Sequence, residues 1–362
     1  MKLFCFRIRT FFCISQLLFL CLFLNAKDKP LNLLLITVDD MSCDSVGVYG
    51  CELEGTTPTM DRLASQSLRF EHAHVTVGNC NPCRNVMFSG LISHNNKVEG
   101  FYKVPDPGWP HMVDLLQEAG YYAGIHGKVT HSSPYQPYGW DDDLTLSPSG
   151  KKAHIKDAKA YGESTLRGIE IAKKSGKPFF LSINISDPHK PFWTQVRGGG
   201  EDPYVPSRIY NAEEVPVPGF LFEDPEVREE LALYYSSVRR ADDCLNEVLK
   251  ALRKSGQWEN TMIVFLSDHG MPLPFAKTQL YHHSTRTPLM VRLPGITQAG
   301  KVEKRHMVSV LDLLPTVLDS LGIPKPKRQD GRPFLPVLRG EKQEDRDYII
   351  KEYNENAGRS RD

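Results

Sequence analysis

The 362-residue sequence predicts an α/β fold, a large mixed, mostly parallel sheet sandwiched by helices. Three observations carry this. Four short runs are apolar almost throughout, Leu31 to Val38, Tyr122 to Ile125, Phe179 to Ile185 and Met262 to Leu266, as strands buried on both faces of a parallel sheet must be. Stretches of helical periodicity alternate with them. Each run is also followed by polar residues, at the strand ends where open parallel sheets collect ligands.

In chain order, Lys2, Arg7 and Arg9 precede the apolar run Phe11 to Leu24, with the small Ala26 just beyond. This is the pattern of a secretory signal over residues 1–26. The run is short for a bilayer span, which ranks a retained N-terminal membrane anchor second. The mature chain is therefore expected outside the cytoplasm, whether secreted, periplasmic or lysosomal. One large domain is expected over residues 27–325. Within it, Pro58 starts a helix carrying Met60, Leu63 and Ala64, and a helix over Met112 to Ala119 stops at Gly120. A long helix begins near Pro225. Its apolar positions Val227, Leu231, Tyr234, Val238, Ala241, Leu245, Val248 and Leu252 form one stripe that ends before Gly256. The strand at Met262 then completes a right-handed crossover. The loops Lys103 to Pro110, Ser132 to Lys152 and Pro191 to Pro225 are long enough to shape a substrate site. After a helical stretch from Val308 to Leu321 comes the basic, Pro-rich Pro324 to Pro336. Residues 326–362 read as the start of a smaller C-terminal domain that is largely missing.

Composition narrows the function. Lys plus Arg and Asp plus Glu number 44 each, so no net positive field exists to favour a nucleic-acid partner. Of eight cysteines, Cys5, Cys13 and Cys21 lie in the leader. The remaining five, Cys43, Cys51, Cys80, Cys83 and Cys244, are odd in number, so at least one thiol is unpaired or chemically used.

The strand-end residues suggest the use. Asp39-Asp40 follows the first run, Gly127-Lys128 with His131 the second, Asp187-Pro188-His189-Lys190 the third and Asp268-His269-Gly270 the fourth. Adjacent carboxylates repel, and a bound cation is the simplest neutraliser. A lone Asp-Asp more often caps a turn, but a second acidic strand end in the same sheet reverses that preference. Carboxylate oxygens suit Ca²⁺ or Mg²⁺, with His269 as a further contact. Lys128, His131, His189 and Lys277 supply the opposite charge and together suit a tetrahedral oxyanion. Cys80-Asn81-Pro82-Cys83-Arg84 precedes the apolar Val86 to Leu91, read as helical, which places Cys80 near a helix N-terminus. Taken alone, the C-x-x-C pair also admits a redox reading.

These motifs, in this order, resemble the type I sulfatases, the formylglycine-dependent branch of the alkaline phosphatase superfamily. Cys80, Pro82 and Arg84 fit the family's C-x-P-[SA]-R pentapeptide, in which the cysteine is oxidised to formylglycine; Cys83 stands where Ser or Ala is usual. The resemblance implies an alkaline phosphatase-like sheet and a sulfatase catalytic domain over residues 27–325. It also implies a divalent cation, Ca²⁺ or alternatively Mg²⁺, held by Asp39, Asp40, Asp268, His269 and the modified Cys80. Arg84 would steady the nucleophile, Lys128 and Lys277 hold sulfate, His189 face the leaving group and His131 act as base. The implied partners are a sulfated saccharide and a formylglycine-generating or anaerobic sulfatase-maturating enzyme. Asp187 to Lys190, Arg228 to Tyr235 and Ser267 to Tyr281 are most similar to the heparan N-sulfatases. Other readings are an O-sulfatase, a phosphate or phosphonate ester hydrolase on the same fold, a thiol-disulfide protein, and a glycan-binding relative without catalysis.

Overall fold

The computed structural model describes residues 29–196 and 199–353. The chain divides into the units Met1–Leu31 and Asn32–Asp362. The signal read at 1–26 lies outside the described residues, and the second unit carries the fold.

Its strands, among the described residues, are β1 (Asn32–Asp39), β2 (Leu68–Phe70), β3 (Ala73–His74), β4 (Tyr122–His126), β5 (Asp142–Asp143), β6 (Phe179–Pro188), β7 (Thr261–Ser267), β8 (Leu289–Arg292), β9 (Val302–Glu303) and β10 (Val308–Ser309). Eight of them form one sheet in the order β5-β4-β6-β1-β7-β8-β2-β9, and β10 pairs with β3 separately. The pairs from β5 through β7 are parallel, whereas β8 runs antiparallel to both β7 and β2. The four apolar runs are the four adjacent strands β4-β6-β1-β7. The remaining strands have two to four residues, too short to show a period.

The Pro225–Lys254 helix opens as expected. Asp224 caps it by accepting from the Glu226 N–H, Pro225 occupies its first turn, and Gly256 follows it with φ +74°. Leu231, Val238, Leu245, Val248 and Leu252 are fully buried, each contributing about 1.5–3 kcal/mol of transfer free energy. A second helix, Ala158–Lys174, packs against the first and is absent from the sequence reading. Gly162 and Gly168 weaken its helical signal. A Cβ on Gly162 would meet Glu247 at 3.1 Å, and one on Gly168 would meet Leu144 and Leu181 at 2.8 Å, so these glycines let the helix lie close to its neighbours. The stretch Val308 to Leu321 is a departure: it divides into β10, a 3-10 turn and the helix Leu313–Leu321.

Described residues beyond 325 pack within this unit. The Phe334 ring lies 5.1 Å from that of Phe70, and Arg346 forks onto Asp312 at 2.7 and 2.8 Å. No described helix is long and apolar enough to cross a membrane.

Candidate active site

The parallel pairing of β1 with β7 sets Val38 opposite Ser267, so the next residues of each strand, Asp39-Asp40 and Asp268-His269, emerge side by side. Asp40 turns the chain at φ +66° and its N–H donates to Asp268 Oδ1 at 3.2 Å. All four side chains are buried. Opposite them, Cys80 is the first residue of the helix Cys80–Ser89, its N–H capped by Asn79 Oδ1 at 3.0 Å. Its Sγ lies 3.4 Å from Asp39 Oδ1 and 3.3 Å from His269 Nε2. One ligand atom from each of Asp39, Asp40, Cys80 and His269 lies within 4.8 Å of the others. Such a buried group can hold a metal ion.

Asp268 stands beside this group. Its Oδ1 is 3.7 Å from His269 Nε2, while Oδ2 takes Arg84 Nε at 3.0 Å and Nη2 at 2.9 Å. Arg84 also donates to Thr37 Oγ1 at 2.9 Å and Asn184 Oδ1 at 2.7 Å. Cys80 and Arg84 lie four residues apart on one helix, hence on one face. This spacing lets the cysteine meet Asp39 while the guanidinium meets Asp268.

Charge is balanced locally. Lys128 pairs with Asp39, and Lys277 reaches both oxygens of Asp40 at 2.8 and 2.9 Å. Three carboxylates thus face three cations, Arg84, Lys128 and Lys277. Burial pushes Asp39 up, but Lys128, His189, Arg84 and Lys277 together hold it well below the usual carboxylate range. Burial, reinforced by the Asp39 charge, raises Asp268. Lys128 sits in left-handed backbone (φ +51°) after Gly127 (φ +73°), where a Cβ would come within 2.5 Å of the Asn184 carbonyl oxygen. Only glycine permits that approach.

Burial first, then the Asp39 charge, raises the Cys80 thiol well above its ordinary value, and burial raises Cys83 similarly. Both are free thiols. Redox C-x-x-C pairs work through a lowered thiol pKa, the opposite of this environment.

His131 ends the 3-10 turn Val129–His131, its carbonyl held by Asn85 at 3.1 Å. Burial, with Lys128 and Arg84 nearby, pushes it down to about 3, and its buried Nδ1 has no hydrogen-bond partner among the described residues. His189 and Lys128 border a cavity of about 820 Å³ that also draws on Trp140, Lys152, His154, Lys156, Phe192, Asp202 and Arg240.

Every site residue expected from the sequence thus lies in or beside this cluster. Sequence reasoning missed Asn184, Lys156 and Arg240. Lys156 donates to Asp187 Oδ1 at 2.6 Å and to the His189 carbonyl at 2.7 Å, and Arg240 grips Asp187 Oδ2 at 2.6 Å. Asn184, a polar residue inside an apolar run, carried a readable signal. Lys156 carried none.

A mostly parallel sheet that gathers carboxylates, a helix-start cysteine and cations at its strand ends is an alkaline phosphatase-like arrangement. The sulfatase family model matches residues 31–323, and the chain belongs to the sulfatase family. It is 32% identical over 350 residues to the human N-sulphoglucosamine sulphohydrolase, covering 87% of this chain and 67% of that protein. Among solved structures, BT4656 in complex with its substrate D-glucosamine-2-N,6-O-disulfate superposes with TM-score 0.68 at 20% identity, covering 89% of this chain and 82% of that one. The phosphonate monoester hydrolase of Agrobacterium radiobacter gives 0.65 at 20% identity, covering 88% and 79%. At these identities the structures establish the fold. The chain spans 59 to 67% of the length of the first three curated relatives it matches.

Proposed function

We propose that this chain hydrolyses sulfate from sulfated glycans, with the N-sulfate of glucosamine in heparan- or heparin-type saccharides as substrate. The observation that carries the reading is the position of Cys80, 3.4 Å from Asp39 and 3.3 Å from His269 with Lys128 and Lys277 on the adjoining carboxylates. Similarity to the human N-sulphoglucosamine sulphohydrolase supports the choice of a sulfated nitrogen. The signal-like pattern read in the sequence of residues 1–26 supports an extracytoplasmic location.

Asp39, Asp40, Asp268 and His269, with position 80, would hold the divalent ion. Their buried carboxylates fit a hard cation, Ca²⁺ or alternatively Mg²⁺. When bound, the ion supplies positive charge to the sulfuryl oxygens. Formylglycine at position 80, made by a separate maturating enzyme, would supply the nucleophilic oxygen that a buried thiol lacks.

The other roles belong to unmodified side chains. Lys128 and Lys277 hold the remaining sulfate oxygens, neutralising the charge that repels a nucleophile. Arg84 fixes Asp268, and through it the acidic wall. His189, at the cavity border, donates a proton to the departing nitrogen. His131, beside Lys128, is the base of this reading.

The test uses protein made in a host with the maturating enzyme. Sulfate release from N-sulfoglucosamine is measured beside release from glucosamine 6-O-sulfate, with mass spectrometry of the Cys80 peptide. Release from the N-sulfated sugar by protein carrying the aldehyde is expected. Full activity in protein whose Cys80 is entirely thiol would end the formylglycine role, and release from the 6-O-sulfate alone would reassign the substrate.

A further inference from the structure

The cations lining the cavity differ in one respect. Lys128 faces Asp39, Lys156 and Arg240 share Asp187, and Lys190 meets Glu230 at 2.5 Å. The lining acids are engaged as well: Asp202 takes Arg240 at 2.7 Å, and Asp143 Oδ1 accepts the Thr145 N–H at 2.9 Å. Lys152 alone among these cations has no carboxylate partner among the described residues.

An exposed lysine by itself means little; here its mounting matters. Lys152 bridges to Leu146 across a turn closed by Ser147 N–H to Lys151 O and Ala153 N–H to Thr145 O, both 2.8 Å. Thr145 Oγ1 in turn accepts the Gly127 N–H at 2.9 Å. The turn bearing Lys152 is therefore braced against the turn bearing Lys128. Around it, Lys151, Lys152, His154 and Lys156 occur within six residues with no acid among them. At about 820 Å³ the cavity lies in the upper part of the range of about 300–1,000 Å³ usual for small-molecule sites, ample for more than one sugar ring.

We propose that the cavity holds the sugar next to the sulfated one, and that Lys152 binds an anionic group on it, a carboxylate or a second sulfate ester. This rests on the sulfated-glycan reading above. Lys152 is a specificity residue, remote from the carboxylates and from Cys80 in role. A charged hydrogen bond at a half-open site corresponds to about a five- to tenfold preference.

Calorimetric binding of product-like disaccharides tests it without turnover. Three are needed: glucosamine linked to a hexuronate, the same disaccharide with its carboxyl reduced, and the reduced form bearing a sulfate ester. The unaltered chain is expected to bind one or both acidic forms about five- to tenfold more tightly than the neutral form. Lys152→Gln should lose that preference while keeping its affinity for the neutral disaccharide, and Lys152→Glu should reverse it. The acidic form that shows the preference identifies the anion. A preference that survives Lys152→Gln, or is absent from the unaltered chain, overturns the proposal. Sulfate release with no such preference would leave the sulfatase reading standing and remove this one alone; the preference without sulfate release would do the reverse.

Discussion

The carboxylate cluster and the cavity meet at Lys128 and His189, yet they are built in opposite ways. The cluster comes from the last residue of β1, the residues just after β1 and β7, and the start of one helix, and its acids are wholly buried with each charge matched. The cavity is walled by loops, and its cations range from the buried Lys156 to the exposed Lys152. Strand ends fix atoms to within the register of a ladder, which the chemistry of one anion requires. Loops vary at little cost to the sheet, which suits recognition of a variable glycan. Substitutions in the cluster should therefore cost activity or stability, whereas substitution of the exposed Lys152 on the cavity wall should leave stability unchanged.

The largest contrast is expected at position 80. Cys80→Ala should lower sulfate release by at least about 10³-fold, with the far-ultraviolet circular dichroism unchanged. A variant that keeps a tenth of the activity would break the comparison at its centre.

Arg84→Met comes next. It strands Asp268 in a buried site, and removing one partner of such a pair costs about 3–5 kcal/mol, read from the denaturant midpoint. Lys152→Gln should stay within about 0.5 kcal/mol of the parent. Similar losses in both would erase the distinction between the two halves.

A divalent ion should stabilise the cluster alone. Ca²⁺ at a hundredfold excess over its dissociation constant adds about 2.7 kcal/mol, and chelation should remove that gain. With Asp39→Asn the Ca²⁺ effect on Tm should vanish, whereas with Lys152→Gln it should persist.

The smallest effect concerns His126, at the end of β4 just before the Gly127-Lys128 turn. Burial pushes it down to about 4, and neither ring nitrogen has a hydrogen-bond partner among the described residues. Because the folded value lies below the ordinary 6.5, the unfolded chain takes up the proton first as pH falls. Its contribution is complete above pH 6.5 and is lost progressively toward pH 4. His126→Phe, which keeps a ring against Tyr161, should flatten the fall of Tm over that interval; an unchanged slope would assign the acid sensitivity elsewhere.

Much of this was legible in the sequence. The runs at 31–38, 122–125, 179–185 and 262–266 proved to be the four adjacent central strands, because a strand covered on both faces is apolar throughout. Asp39, Asp40, Asp268 and His269 were readable for the converse reason: polar residues immediately after such runs mark strand ends. The short strands from β8 to β10 left no period to detect. Gly162 and Gly168, which suit close packing, hid their helix by lowering its propensity.

The order of motifs along the chain determined the family, the sheet that carries it and the residue types of the site, since each is a local property of a run, a turn or a pentapeptide. Only tertiary structure decided that Arg84 serves Asp268, that Lys156 and Arg240 secure the His189 turn through Asp187, and that Lys152 overlooks the cavity. Those pairings join residues from 31 to 184 positions apart, and no short-range pattern records which distant carboxylate a buried cation will meet.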